Sequence, residues 1–249
     1  MLPEIIGGLA IGAVLGLLGG GGALMAIPVL VYVFHYPFRM AVGSGLVLVA
    51  LGVLPALALY WRHRQIHWLS AFIMGLSGML GARLSSQLAG WAPTSWLLGL
   101  LIALMLVSAI NMLKANHRGS MEPEILAGSP HYGALAAAGL IIGILTGLVG
   151  VGGGFLLVPA LLYLGRLPLR LAIPSSLVII GLNALSGMTG YWAQLLVAQA
   201  SFQWLMLSSV FGSVFGYRLS QRLSSQSIKR AFGVFLLILI GLIWAFPPS

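Results

Sequence analysis

The sequence contains no cysteine and only three acidic residues, Glu4, Glu122 and Glu124, among 249. Without cysteine there is no disulfide, no thiolate metal ligand and no thiol chemistry. Charged residues make up 6% of the chain, against about 25% in an ordinary soluble domain. That shortage excludes disorder, which requires polar and charged composition. With 60% hydrophobic residues and a mean hydropathy of +1.07, a water-soluble fold of this size cannot hide its apolar surface. The ten-residue alternation of membrane β-barrels is also missing. What remains is an all-α integral membrane protein with several spans.

The missing acids also limit function. Glu4 stands at the terminus, at the first residue of an apolar segment, and the other two lie in the linker, so a carboxylate proton relay or a carboxylate-ligated sodium site at membrane depth is excluded. A cationic substrate would lack its usual counter-ion, which leaves an anion as the natural passenger. No metal site and no cofactor is expected. Twelve Lys and Arg residues give a formal charge of +9, but they sit mostly between apolar segments and report topology rather than nucleic-acid binding. The N-terminus has no basic region ahead of its apolar stretch and does not read as a cleaved signal.

Glycine and serine are abundant, and their pattern repeats. When the sequence is laid on itself with Gly8 on Gly139, nearly half of the positions from Gly8 to Val47 match Gly139 to Val178. Gly8, Gly12 and Gly16 pair with Gly139, Gly143 and Gly147. Pro28 pairs with Pro159, Arg39 with Arg170 and Ser44 with Ser175, and Tyr60-Trp61 with Tyr191-Trp192. Further on, a slightly longer shift pairs Gly81-x-Arg83-Leu84-Ser85 with Gly216-x-Arg218-Leu219-Ser220. The chain therefore divides into a first repeat at 1–113, a polar linker at 114–130 and a second repeat at 131–249.

Each repeat has one long interrupted apolar segment, 4–34 or 131–164. Three ordinary ones follow, 41–61, 68–89 and 95–113 in the first repeat and 170–195, 201–221 and 228–246 in the second. The ordinary segments approach the roughly 20 residues that cross a bilayer. The long ones are broken by Gly19, Gly20, Gly21 and Gly22, and by Gly150, Gly152, Gly153 and Gly154.

If all segments cross once, the cations split four to eight. If each broken segment instead folds back as a hairpin, the second repeat is inverted. Arg62, Arg64, Lys114, Arg118, Arg166, Arg170, Arg218, Arg222, Lys229 and Arg230 then share one side, and only Arg39 and Arg83 the other. The positive-inside rule selects the second arrangement. The expectation is two inverted repeats, each a Gly-broken hairpin plus three transmembrane helices, with a cytoplasmic linker and both termini outside. Transporters of this design bind substrate near the midplane, where the repeats meet.

The glycine tips allow close backbone approach and positive φ, and a helix restarting after each would offer N–H groups to an anion. Ser44, Ser175 and Ser176 stand at the start of the next segment, as anion donors or as helix caps. Asn183 is polar at membrane depth, as interhelical glue or as a ligand contact. The upstream glycines read as packing faces. Arg83 and Arg218, like Arg39 and Arg170, either flank a path or snorkel to the interface. Neither glycine run has the Lys-Ser/Thr of a P-loop or the strand of a dinucleotide fold. An intramembrane serine protease at Gly43-Ser44-Gly45 needs a buried base, but the five histidines all fall near or in loops.

Gly16-x-x-Gly19-Gly-Gly-Gly22 with Pro28-x-Leu30, and Gly147-x-x-Gly150-x-Gly152-Gly-Gly154 with Pro159-x-Leu161, resemble the sulfite exporter TauE/SafE family. Each is followed by Ala-x-x-Ser, at Ala41–Ser44 and Ala172–Ser175. Where the family carries Thr-Ser or similar, this chain has Ser44-Gly45 and Ser175-Ser176. The resemblance implies an inner-membrane permease, with periplasmic termini, for small sulfur oxyanions or organosulfonates. The expected partners are a small anion and the lipid bilayer, not nucleic acid, and no enzymatic activity is expected. The alternatives are an anion channel and an uptake permease for thiosulfate or another oxyanion.

Overall fold

The structure is a computed structural model that describes residues 2–18, 22–89, 91–114, 130–150, 153–191 and 201–220, with 233–234, 236–238, 240–241 and 243. Among the described residues every regular element is helical. The first hairpin consists of α1 (Leu2–Leu18) and α2 (Gly22–Pro28), and α2 continues as a π-helical turn over Val29–Val33. Pro28 has no N–H to give, and the ladder widens to π spacing directly after it. Then follow α3 (Phe38–Arg62), α4 (Trp68–Leu88) and α5 (Thr94–Lys114). The second hairpin is α6 (Tyr132–Val149) and α7 (Gly154–Tyr163). It leads into α8 (Leu169–Gly187), which ends in a 3₁₀ turn at Met188–Tyr191, and then α9 (Ser201–Ser220).

Among the described residues three stretches are long and apolar enough to cross a membrane: Phe38–Arg62, Tyr132–Val149 and Arg170–Tyr191. Helices α4 and α9 have comparable length, but their inward faces are glycine and serine. Their outward faces are not. Leu76, Leu80 and Leu84 on α4 are exposed, and so are Leu207, Phe211 and Phe215 on α9. These two sets occupy equivalent positions of the two repeats, and the one-sided apolar stripe is what a lipid-facing helix presents.

The second arms of both hairpins end alike. His35 and Arg166, at equivalent positions of the two repeats, take left-handed backbone with φ of 54° and 50°. Beside them the Tyr36 N–H donates to Leu30 O at 3.0 Å and the Leu167 N–H to Leu161 O at 3.1 Å. The main-chain reversal is thus repeated bond for bond, although the side chains differ.

Packing crosses between the halves of the sequence. Helix α1 lies on α9, and α6 lies on α4. A β-carbon added to Gly8, Gly12 or Gly16 would run into the carbonyl of Leu205, Ser209 or Ser213. One added to Gly139, Gly143 or Gly147 would run into that of Met74, Gly78 or Ala82. All six contacts obey the register that lays Gly8 on Gly139. So does the reverse face, where Gly81 abuts Leu140 O and Gly212 abuts Leu9 O. These glycines let the backbones touch, the small-residue packing that membrane helices use.

This corrects one expectation. The longer shift paired Gly81 with Gly216, but Gly216 lies against Ala13 O, one turn beyond the position equivalent to Gly81. Gly212 and Gly216 both pack on α1, so a slip of one turn gives as good a sequence match as the true register. Arg83 and Arg218 are therefore one helical turn out of equivalence.

Helices α3 and α8 form the centre, antiparallel to each other. A β-carbon on Gly181 would meet Val53 at 3.3 Å, and one on Gly187 would meet Leu46 at 3.4 Å. The bundle thus has two ends. Arg62 and Arg64 follow α3 at one end, with Arg166 and Arg170 leading into α8 beside them. Arg218 belongs to the same end, since its neighbour Tyr217 stacks edge-on against Tyr60 at 4.8 Å. Arg39 and Arg83 stand at the other end, where the Arg39 guanidinium donates to Ala92 O just past α4.

Candidate functional site

Polar side chains are buried along the α3–α8 seam at three levels. At the Arg39 end, Ser44 is fully buried and its hydroxyl has no hydrogen-bond partner. Both hairpins close on α3 around it. A β-carbon on Gly150 would come within 3.0 Å of the Val42 backbone, two residues before Ser44. One residue after it, a β-carbon on Gly45 would meet Ile27 at 3.4 Å and Ala26 at 3.9 Å on α2.

Midway, Asn183 of α8 is fully buried, and among the described residues neither amide atom has a partner. Its amide fills the space that a side chain on Gly78 of α4 would occupy, 2.9 Å from the nitrogen. At the Arg62 end, Ser175 is fully buried and accepts a hydrogen bond from the His67 N–H at 2.9 Å. Ser176 is also buried, and its hydroxyl donates to Ile173 O at 2.8 Å, the local bond of a serine inside a helix.

The expectation of one site at meeting tips does not match this geometry. Gly150 lies on α3 at Val42, whereas Leu15, three residues before α1 ends, lies on α3 at Gly52. Gly7 meets Phe34 near the start of α3, so α1 runs parallel to α3 and its end lies beyond Gly52. Val42 and Gly52 are ten residues apart, about 15 Å of helix. The hairpins pass one another instead of meeting. Ser44 and Ser175 are likewise apart. Twelve residues of α8, about 18 Å, separate Ser175 from Gly187, which packs on Leu46 beside Ser44.

Of the glycines expected at the tips, Gly19, Gly20, Gly21 and Gly152 lie outside the described residues, and Gly22 opens α2. Gly150 and Gly153 make the second turn in left-handed conformation, with φ of 73° and 63°, and Gly154 opens α7. Gly153 faces its own hairpin, against Ile142 and Thr146. Both left-handed glycines are thus required by the turn itself. Arg83, Arg170 and Arg218 are exposed, as snorkelling cations are.

One residue that the sequence marks only as part of a repeat match has a specific task. The Tyr191 hydroxyl donates to both Gly147 O, at 3.0 Å, and Leu148 O, at 3.2 Å. It satisfies carbonyls that the end of α6 leaves open, and so ties the second hairpin's tip to the end of α8.

Helices with lipid-facing stripes, backbones in contact through glycine, interrupted hairpins and buried polar groups along a central seam together define an integral membrane transporter. The sulfite exporter TauE/SafE family model matches residues 5–243. The chain belongs to that family. It is 32% identical over 245 residues to a "Probable membrane transporter protein" of Xylella fastidiosa, covering 96% of this chain and 92% of the relative. It is 26% identical to "Probable membrane transporter protein YunE" of Bacillus subtilis, covering 95% and 94% of the two chains. A "Probable membrane transporter protein" of Haemophilus influenzae is 26% identical over 96% of this chain and 95% of its own. No solved structure matches the chain.

Proposed function

We propose that the protein exports small sulfur-containing anions, such as sulfite or an organosulfonate, along the α3–α8 seam. The observation that carries this reading is the Asn183 amide, unpartnered among the described residues and fully buried midway along the seam of a chain whose acids lie at the start of α1 and in the linker. A buried amide without partners costs about 1–3 kcal/mol, a cost that a bound oxyanion removes. Its nitrogen donates to an oxyanion, and its oxygen accepts from an anion that still carries a proton, as hydrogen sulfite does. Ser175 on one side and Ser44 on the other provide hydroxyl donors along the same line. The family name supports sulfite as the substrate to test first.

In this reading the Arg62 end faces the cytoplasm, the termini are periplasmic and the membrane is the inner one. The cation distribution supports that sidedness. An inside-negative potential drives an anion outward by about 2.3 kcal/mol per charge per 100 mV, so export needs no coupling ion. Access alternates as α1 with α9, and α6 with α4, shift about the central pair. The glycine contacts make each of these two-helix units rigid.

The test is sulfite flux from proteoliposomes, with sulfate, chloride and a small organosulfonate as competitors, for wild type and Asn183→Leu. Saturable sulfite flux that falls at least tenfold in the variant supports the reading. Sulfite flux unchanged in the variant moves the site off the seam. Single-channel currents would replace the transporter with a channel, and the absence of sulfite flux in folded wild type would overturn the substrate.

A further inference from the structure

The turn between α3 and α4 forms a half-open pocket of about 400 Å³, lined by Trp61, Arg62, Arg64, Ile66 and Trp68. Its size falls within the range of about 300–1,000 Å³ typical of small-ligand sites. The floor, Ile66, is buried, and the two arginines are exposed. Among the described residues neither arginine has an acidic neighbour. Glu4 is the one acid among them, and it stands on α1 near Gly7, at the opposite end of the bundle.

The rim is aromatic and ordered. Trp61 and Trp68 meet edge to face at 6.3 Å and 82°, and Trp68 stacks on Phe72 at 5.7 Å and 27°. Below it, Leu69, Phe72, Leu76 and Leu80 form a continuous exposed stripe down the outer face of α4. A cationic pocket thus opens at one end of the exposed apolar stripe of α4.

Arg64 takes left-handed backbone with φ of 52°, the same helix-end conformation as His35 and Arg166, and the turn is closed by the Gln65 N–H donating to Tyr60 O at 3.3 Å. What separates this pocket from the general basic character of the Arg62 end is that its arginines are absent from the repeat: the equivalent positions of the second half are Ala193 and Leu195. The shared scaffold therefore does not require them.

We propose that this pocket binds the phosphate headgroup of an anionic glycerophospholipid, with Arg62 and Arg64 on the phosphate, Trp61 and Trp68 flanking the glycerol, and an acyl chain along Leu69, Phe72 and Leu76. The tryptophans suit the boundary layer, and paired guanidiniums suit a phosphate oxyanion.

The test is native mass spectrometry of the purified full chain in neutral detergent, titrated with phosphatidylglycerol or with phosphatidylcholine of the same chains. Wild type should hold phosphatidylglycerol about tenfold more tightly than phosphatidylcholine. Arg62→Gln with Arg64→Gln should abolish that preference. Arg64→Gly is the second variant, because it removes the guanidinium while relieving the left-handed backbone. It should weaken phosphatidylglycerol binding several-fold with unchanged or higher thermal stability. Equal binding of the two lipids by wild type would overturn the proposal, as would a preference that survives in both variants. Displacement of the lipid by millimolar inorganic phosphate would show that the pocket takes free phosphate instead.

Discussion

The two halves of the sequence solve the same packing problem with opposite residues. In one, Gly52 of α3 faces Ser209 of α9 and the Leu15 side chain. In the other, Asn183 stands where Gly52 would be, and Gly78 stands where Ser209 would be. The larger residue has changed helix, and the small one has made room for it. The backbone is held alike on both sides, because the glycine contacts of α1 on α9 and of α6 on α4 are the same. What differs is the buried polar content of the seam. The halves share what builds the bundle and diverge at the buried polar residues of the proposed site.

This comparison can be broken most severely at the shared part. Gly143→Leu and Gly12→Leu should each destabilise by about 3 kcal/mol or more, because the new side chain meets a backbone carbonyl that cannot move aside. Thermal unfolding followed by size-exclusion chromatography should show both variants losing the folded peak to a similar extent. A large difference between them would mean that the two interfaces are not equivalent.

At the divergent part the expected effects separate stability from transport. Asn183→Leu should leave the melting temperature unchanged or raise it, since an unpaired buried amide is replaced by an apolar group of similar size, while sulfite flux falls at least tenfold. A parallel fall in stability would make Asn183 interhelical glue. The serines sharpen the same contrast. Ser175→Ala removes the acceptor of the His67 N–H and should cost about 1 kcal/mol. Ser44→Ala removes a hydroxyl without partners and should cost little or nothing in stability, so that any effect appears in flux alone.

The most local effect is expected at the second tip. Tyr191→Phe gives up the bonds to Gly147 O and Leu148 O, worth about 1 kcal/mol. Faster exchange of the amide hydrogens at the end of α6 in deuterium labelling, with the rest of the bundle unchanged, is the expected result.

Much of the fold was legible because it rests on composition and periodicity. Apolar runs with few charges gave most of the described helices to within a few residues, although the run 170–195 extends past the end of α8 and the run 228–246 lies largely outside the described residues, and Gly8, Gly12 and Gly16 announced a packed face. What they pack against was not legible, since a glycine face states how closely a neighbour approaches and not which neighbour it is. The misplaced register at Gly81 arose from that same degeneracy: glycines one turn apart on α9 serve the same interface. The buried polar groups of the seam were legible in kind, as serines and an amide in a membrane chain with only three acidic residues. Its layout depends on how deeply each hairpin reaches, and no local residue pattern encodes that depth. Tyr191 was hidden for a related reason, because its partners are main-chain carbonyls, which leave no mark in sequence.

The exchange of α1 onto α9 and of α6 onto α4 has a consequence for ancestry. Half of this chain, made alone, would expose the glycine face of its hairpin with no partner helix to cover it. Two copies, each lending its hairpin to the other, would cover both faces, in the manner of a swapped dimer. A chain of this kind descends most simply from such a pair by duplication and joining. Once joined, the two copies no longer had to be identical, and a residue such as Asn183 could arise in one without its twin in the other.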